Sequence, residues 1–239
     1  MEIIFICNEV RKLTSYVEKR EKCNMVVLSG CINSEMEFDH VSLKRVRFYI
    51  IKVDIKRLSN TVDTIPVMVS ELQMNPTKDY TGKKVQISGF FRSCRIENFD
   101  NGKRHLMLSV FADSIDFVEG ETGRNDIYLD GYLCSDPVYR ETPKGKIITD
   151  AVLAVNSVDR SRSDYIPVVF WGSNAKNVAF QEKGAHIRVS GRAQSRIYTK
   201  CDKFGKTTNH TAYEVSVFSS DVIETADEIR NAKIKKLIK

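Results

Sequence analysis

The chain has 239 residues, enough for one large domain or two small ones, and 37 Lys and Arg against 31 Asp and Glu leave it mildly basic at +6. No apolar run approaches the roughly 18 residues of a membrane span, and the short run from Ile3 to Cys7 follows no basic segment of the kind that opens a signal peptide. The six cysteines (Cys7, Cys23, Cys31, Cys94, Cys134 and Cys201) show no CxxC pair, zinc spacing or disulfide framework. Reduced thiols in a soluble cytoplasmic protein, with no metal, cofactor or membrane partner, are therefore expected.

Residues 1–23 begin apolar and continue as EVRKLTSYVEKREK, with Val10, Leu13 and Val17 at helical spacing. This predicts an arm or short strand followed by a helix. From Asn24 the pattern changes to short strands, and an internal repeat emerges. NMVVLSG (Asn24 to Gly30) recurs as NDIYLDG (Asn125 to Gly131), and Ile65-Pro66 recurs as Ile166-Pro167, both at an offset of 101. GKKVQISGFFRS (Gly82 to Ser93) recurs as GAHIRVSGRAQS (Gly184 to Ser195) at 102. Nearly constant offsets define two copies of one domain, 24–118 and 125–222, joined by the glycine-containing linker 119–124, EGETGR.

Each copy reads as strand, long strand, strand, helix, strand, strand. In the second copy the helix is SNAKNVAFQEKG, with Ser173 as the expected cap, an apolar stripe of Ala175, Val178 and Ala179, and Gly184 just past its end. In the first copy Pro76 interrupts the corresponding stretch, which predicts a shorter or missing helix. Five strands with a helix between the third and fourth is the layout of the OB-fold. The expected fold class is all-β: two tandem OB-folds, each a five-stranded Greek-key barrel, with short helices. The tail 223–239 spaces Ile223, Ala226, Ile229, Ile234, Leu237 and Ile238 among charges and ends in AKIKKLIK, predicting a basic amphipathic helix whose apolar side meets either the barrel or another molecule.

The binding chemistry is concentrated in the second copy. From Lys183 to Lys206 there are seven Lys and Arg against a single acid, Asp202. As a strand, Gly184 to Tyr198 puts Arg188, Arg192, Arg196 and Tyr198 on one face and Ile187, Val189, Ala193 and Ile197 on the other. DYIPVVFW likewise places Tyr165 and Trp171 opposite Ile166, Val168 and Phe170. Rings beside guanidiniums suit single-stranded nucleic acid, whose bases stack while its phosphates meet the cations. The competing reading buries these rings in the core or in a subunit contact. Arg140, Thr142, Lys144 and Lys146 lie in a turn between the first two strands, within reach of phosphate. In the first copy the six equivalent positions are Gln86, Phe90, Cys94, Thr64, Ser70 and Ile96, so the first barrel is expected mainly to build the assembly. The four histidines are scattered, and no GxSxG, HExxH or phosphate-cradling loop is present, so no catalytic residue is assigned and no enzyme is expected.

The second copy resembles the bacterial single-stranded DNA-binding protein family. The resemblance rests on NDIYLDGYLCSDPVYRETPKG (Asn125 to Gly145), AVLAVN (Ala151 to Asn156), DYIPVVFWG (Asp164 to Gly172), AKNVAFQEKG (Ala175 to Gly184) and VSGRAQSRIY (Val189 to Tyr198), in order and spacing. It implies base-stacking roles for Tyr165, Trp171 and Tyr198. A fourth stacking position of the family falls near Asp159, where no ring is present, so Arg160 and Arg162 are expected to supply phosphate contacts there. The family's acidic tail, which recruits replication and repair proteins, has no counterpart among the terminal lysines, so such proteins stay open as partners but without that route. Members with two barrels per chain form dimers, which implies a homodimer with four barrels. The expected function is sequence-tolerant binding of single-stranded DNA during replication, recombination or repair. The alternatives are an OB-fold scaffold in a larger assembly and RNA binding.

Overall fold

The computed structural model describes residues 23–97, 104–156, 162–201, 205 and 207–237. The expected N-terminal helix within 1–23 falls almost wholly outside these, as does Arg160.

The first barrel consists of β1 (Asn24–Ile32), β2 (Glu37–Val41), β3 (Arg47–Lys56), β4 (Val62–Ser70), β5 (Lys84–Glu97) and β6 (Arg104–Phe117). The second repeats it with β7 (Asn125–Leu133), β8 (Val138–Glu141), β9 (Ile147–Asn156), β10 (Ser163–Trp171), α1 (Gly172–Ala179), β11 (His186–Cys201) and β12 (Thr207–Glu224), and α2 (Ala226–Leu237) follows. Five strands close each barrel: β1 pairs with β5 and β3, β5 with β6, β6 with β4, and β4 with β3, and the second copy closes in the same way through β7–β9. The short strands β2 and β8 are additional edges on β3 and β9. Period-two alternation in the sequence drives this closure. Val26, Leu28, Ile51, Val53, Ile55, Ile65, Val67, Val69, Val85 and Ile87 fill the first barrel, and Ile127, Leu129, Leu153, Val155, Ile166, Val168, Ile187 and Val189 fill the second.

Glycines allow the sharp approaches this geometry needs. A Cβ on Gly89 would collide with the Phe111 carbonyl oxygen, and one on Gly191 with that of Ser216. Both lie where the long strands bend and the ladder slips by a residue, between Ser88 and Gly89 and between Ser190 and Gly191. Beyond these bends β5–β6 and β11–β12 continue as two-stranded hairpins.

The helices differ from expectation in detail. Gly172 (φ +57°) turns the chain straight out of β10, so α1 starts there with Trp171 as its N-cap, and Ser173 falls inside the first turn without making a cap hydrogen bond. Ala175 and Val178 are buried, as the stripe predicts. In the first barrel, residues 71–74 form only turns between β4 and β5, consistent with Pro76. A capping box starts α2: the Thr225 N–H donates to Glu228 Oε2 at 2.7 Å and the Glu228 N–H to Thr225 Oγ1 at 3.3 Å. The α2 side chains described stay largely in solvent, with Ile234 exposed.

The barrels join through β1 and β7, which pair antiparallel with Asn24 opposite Leu129, Val26 opposite Ile127 and Leu28 opposite Asn125. Each residue thus faces the repeat-mate of its other neighbour, so a local two-fold axis passes through the Val26–Ile127 pair. The same axis relates the side-chain contacts. Asn24 brackets the Phe91 backbone (2.8 and 2.9 Å), as Asn125 brackets that of Ala193 (both 2.8 Å).

Each long hairpin also reaches the other barrel. The Ser195 N–H donates to Asp63 Oδ1 at 3.0 Å while its hydroxyl accepts the Thr64 N–H at 3.1 Å. The mirror contact has the Ser93 N–H donating to Asp164 Oδ1 and the Ser93 hydroxyl accepting the Tyr165 N–H, both at 2.8 Å. Both aspartates are buried. Asp63 is neutralised by Arg57, whose Nε lies 2.5 Å from Oδ2 and whose Nη2 meets Oδ1. That hydrogen bond, with the attraction of the same carboxylate, raises the Arg57 pKa against the cost of burial.

Candidate nucleic-acid interface

The second barrel presents its outer face across β11, β12, β10 and β9. Tyr165 and Trp171 leave β10 on the same side, as alternation requires, and remain 41% and 38% exposed. Six residues of strand separate them by about 20 Å. The Trp171 ring and the Tyr165 backbone are each held by a serine. The Trp171 indole N–H donates to the Ser216 hydroxyl at 3.1 Å, and the Tyr165 backbone is held by Ser93 of the first barrel. Tyr198 is half-buried, stacked against His210 at 5.6 Å, with the Arg196 guanidinium 5.8 Å and the Lys200 ammonium 5.6 Å from its ring centre.

Arg196 connects these strands. It lines a groove of about 280 Å³ together with Arg140, Asp150, Pro167, Val169 and Glu214. Pro167 and Val169 lie on the Tyr165/Trp171 side of β10, so the Arg196/Tyr198 face of β11 and the ring-bearing face of β10 open onto one surface. The cations there are not bare. Arg140 bridges Asp150 through Nε and Nη2, the latter at 3.2 Å, which raises its pKa. Arg196 Nε lies 3.8 Å from Glu214, which also accepts the Gln194 amide at 2.6 Å.

The other two arginines of the row part from this surface. Arg188 lies toward β7, with Nε 2.8 Å from Asp130, and the hydrogen bond to that carboxylate raises its pKa. The same Asp130 binds His186, which stacks on Tyr132 at 4.6 Å. Arg192, past the bend in β11, lines a second groove between the barrels with Arg57, Lys56 and Arg124. Burial lowers its pKa first and the Arg57 charge second, with Asp63 opposing. Arg162, Lys144 and Lys146 are exposed, and Thr142 closes the β8–β9 turn, its backbone bonded to Lys146 and Gly145. No cluster of three or more metal-ligating side chains occurs among the described residues.

Position-by-position comparison overlooks an aromatic array on the first barrel. His40 stacks on Phe48 (5.1 Å), Phe48 lies against Phe111 (5.3 Å), Phe111 stacks on Phe90 (5.1 Å), and the Arg92 guanidinium sits 5.6 and 5.8 Å from the last two rings. Phe48 pairs across β3–β4 with Ser70, the counterpart of Trp171, and Phe111 occupies the place of Ser216. Rings from neighbouring strands thus fill the space that the absent tryptophan leaves. The signal was present as three phenylalanines, Phe48, Phe90 and Phe111, at outward positions of strands.

Two closed five-stranded barrels in tandem, one bearing exposed rings beside arginines, define an OB-fold protein of the oligonucleotide-binding architecture. Residues 124–222 match the model of the single-strand binding protein family. The single-stranded DNA-binding protein of Clostridium tetani is 42% identical over 84 residues, which cover 33% of this chain and 58% of that one. Single-stranded DNA-binding protein B of Bacillus subtilis is 36% identical over 80 residues, 31% of this chain and 71% of that one. The wild-type single-stranded DNA-binding protein from Thermus aquaticus superposes with a TM-score of 0.61 at 19% identity, covering 83% of this chain and 92% of that one, a likeness of fold that includes both barrels. The chain belongs to the single-strand binding protein family. It spans about half the length of the first curated relatives it matches.

Proposed function

We propose that this chain binds single-stranded DNA without catalysis and with little sequence preference, acting in the cytoplasm to cover strands exposed in replication, recombination or repair. The second barrel, 125–222, supplies Tyr165, Trp171 and Tyr198 as stacking platforms, and Arg140, Lys144, Arg160, Arg162, Arg188, Arg192 and Arg196 as phosphate contacts. The first barrel, 24–118, joined through 119–124, positions it, because Ser93 holds the Tyr165 backbone. A homodimer with four barrels is the expected assembly. No helix among the described residues is long and apolar enough to cross a membrane.

One observation carries this reading: Arg196 of β11 lines one groove with Pro167 and Val169, which share the Tyr165/Trp171 side of β10. Tyr165 and Trp171 are exposed on the single chain, and Trp171 is held by Ser216, as a stacking platform requires. The chain has a single tryptophan, so its emission reports on this site alone. Oligo(dT) added at low salt should quench it, and the quenching should weaken as salt rises. Unchanged emission across a saturating titration refutes the site, and a matched RNA oligomer run in parallel decides between the two sugars.

A further inference from the structure

We propose that the groove between the two barrels is a phosphate-binding channel that carries a single strand from the Trp171 platform onto the first barrel. This rests on the single-strand binding reading above and adds the path between the domains. The groove encloses about 630 Å³ and is lined by Lys56 and Arg57 of the first barrel and Arg124 and Arg192 at the second, with Asp126 the one acid among its lining residues.

Its mouth adjoins the stacking site. Arg192 pairs across β11–β12 with Ser216, the residue whose hydroxyl holds the Trp171 indole. Arg192 thus lies two strands over from Trp171, across β12, about 10 Å away at the backbone. The Arg192 Nε is buried without a hydrogen-bond partner, and Asp63, the carboxylate whose charge acts on it, already serves Arg57 and the Ser195 N–H. An anion entering the groove would satisfy this group and relieve the repulsion between neighbouring guanidiniums. Phe218, 57% exposed on the groove wall, offers a ring beside the charges.

The local two-fold axis supplies an internal control. On the side of the junction related by that axis, Arg192 is replaced by Phe90, Arg124 by Cys23 and Asp126 by Met25. The barrel junction therefore forms equally well without these charges, and their accumulation on one side is a property of that groove and not of the fold. Among the described residues, the positions of Arg124 and Arg192 carry no charge on the related side, so the two flanks of the junction differ.

The test uses Lys56→Ala with Arg124→Ala in the full chain. Both side chains are exposed and neither belongs to the stacking surface. Two oligo(dT) lengths are compared, about 10 nucleotides to fill one barrel and about 30 to span both. Trp171 quenching by the short oligomer should be unchanged. Affinity for the long one should fall about tenfold at low salt, and the slope of log K against log salt should flatten by about 1.4, two single-strand contacts' worth. The charge reversals Lys56→Glu and Arg124→Glu should push both quantities further.

Equal affinity and slope for the long oligomer overturn the channel, as does an equal loss for both lengths, which would make the cations part of the second-barrel site alone. If the double variant keeps its DNA binding but loses binding to a polyglutamate peptide, the groove serves an acidic protein segment and the nucleic-acid channel is refuted. Absence of quenching by either oligomer in the wild-type protein refutes instead the binding function on which the channel rests.

Discussion

Replacing Trp171 by alanine removes the most completely braced ring of the proposed surface. A stacked base contributes about 1–3 kcal/mol, so the variant should bind oligo(dT) about 5- to 150-fold more weakly. The indole N–H bond to Ser216 fixes the ring before the strand arrives, which places the expectation toward the upper half of that range. The same bond predicts a separate cost to the fold: Ser216 is buried, and losing its donor should lower stability by about 1 kcal/mol. Trp171→Phe separates the two effects, since it keeps a ring and deletes the N–H. Its affinity should stay within about fivefold of wild type while its stability loss matches that of the alanine variant. Fluorescence polarisation of a labelled oligomer at two salt concentrations measures binding without the tryptophan, and urea unfolding measures stability. An alanine variant that is folded and binds like wild type at both salts would show that the ring does not stack.

Three other substitutions probe the electrostatics and the junction. Glu214 holds Gln194 and faces Arg196 in the groove, so Glu214→Gln keeps a hydrogen-bonding side chain there while removing the carboxylate that competes with phosphate. Affinity for oligo(dT) should rise about threefold or more with a steeper salt dependence, and a weaker complex would place the strand elsewhere. Asp63→Ala strips a buried carboxylate from Arg57 and from the Ser195 N–H, and should cost about 3 kcal/mol in urea unfolding, whereas a loss below about 1 kcal/mol would mean the hairpin brace is not structural. The Thr225 N–H and hydroxyl hold the Glu228 pKa below its ordinary value of 4.5. The sign follows: the cap is fully present above the unfolded value and lost as pH falls through the folded one. Helical ellipticity from α2 should therefore drop on acidification below about pH 4.5, and Thr225→Ala should abolish that step.

Much of this architecture was legible because the chain contains it twice. The recurrence of Gly30 as Gly131 and Gly89 as Gly191 marked equivalent strands, and alternation in β10 and β11 put Tyr165, Trp171, Arg196 and Tyr198 on outward faces. Alternation describes a flat ribbon, however, and β11 bends at Gly191. That bend turns one predicted row into three environments, with Arg188 at Asp130, Arg192 between the barrels and Arg196 above β10. The carboxylates that pair with Arg140, Arg188 and Arg196 come from other strands, Asp130 from one 58 residues away, and spacing along one segment carries no information about them. The inter-barrel braces were visible in principle. Asn24/Asn125, Asp63/Asp164 and Ser93/Ser195 are polar residues preserved between copies whose outer faces otherwise diverged. The Thr225-x-x-Glu228 cap was equally readable, as a local motif that needs no tertiary context.

The repeat also explains why the two barrels can diverge in function without coming apart. The main braces between them are duplicated: the β1–β7 ladder, the asparagine brackets and the serine–aspartate braces recur about the same axis. The groups proposed to contact a strand are not: the ring positions of β10 and β11 correspond to a phenylalanine array on the first barrel, and Arg124 and Arg192 at the junction correspond to Cys23 and Phe90. A symmetric frame fixes the relative position of the faces to within a hydrogen bond's tolerance, which leaves the exposed side chains free to change singly. It also means that a substitution in the frame, such as Ser93→Ala, acts at a distance. It withdraws the acceptor from the Tyr165 N–H and should loosen a second-barrel ring through a first-barrel residue. Binding by Ser93→Ala should weaken with no change in the salt slope, because no cation has moved. A flatter slope in that variant would mean that the brace positions charge and not the ring.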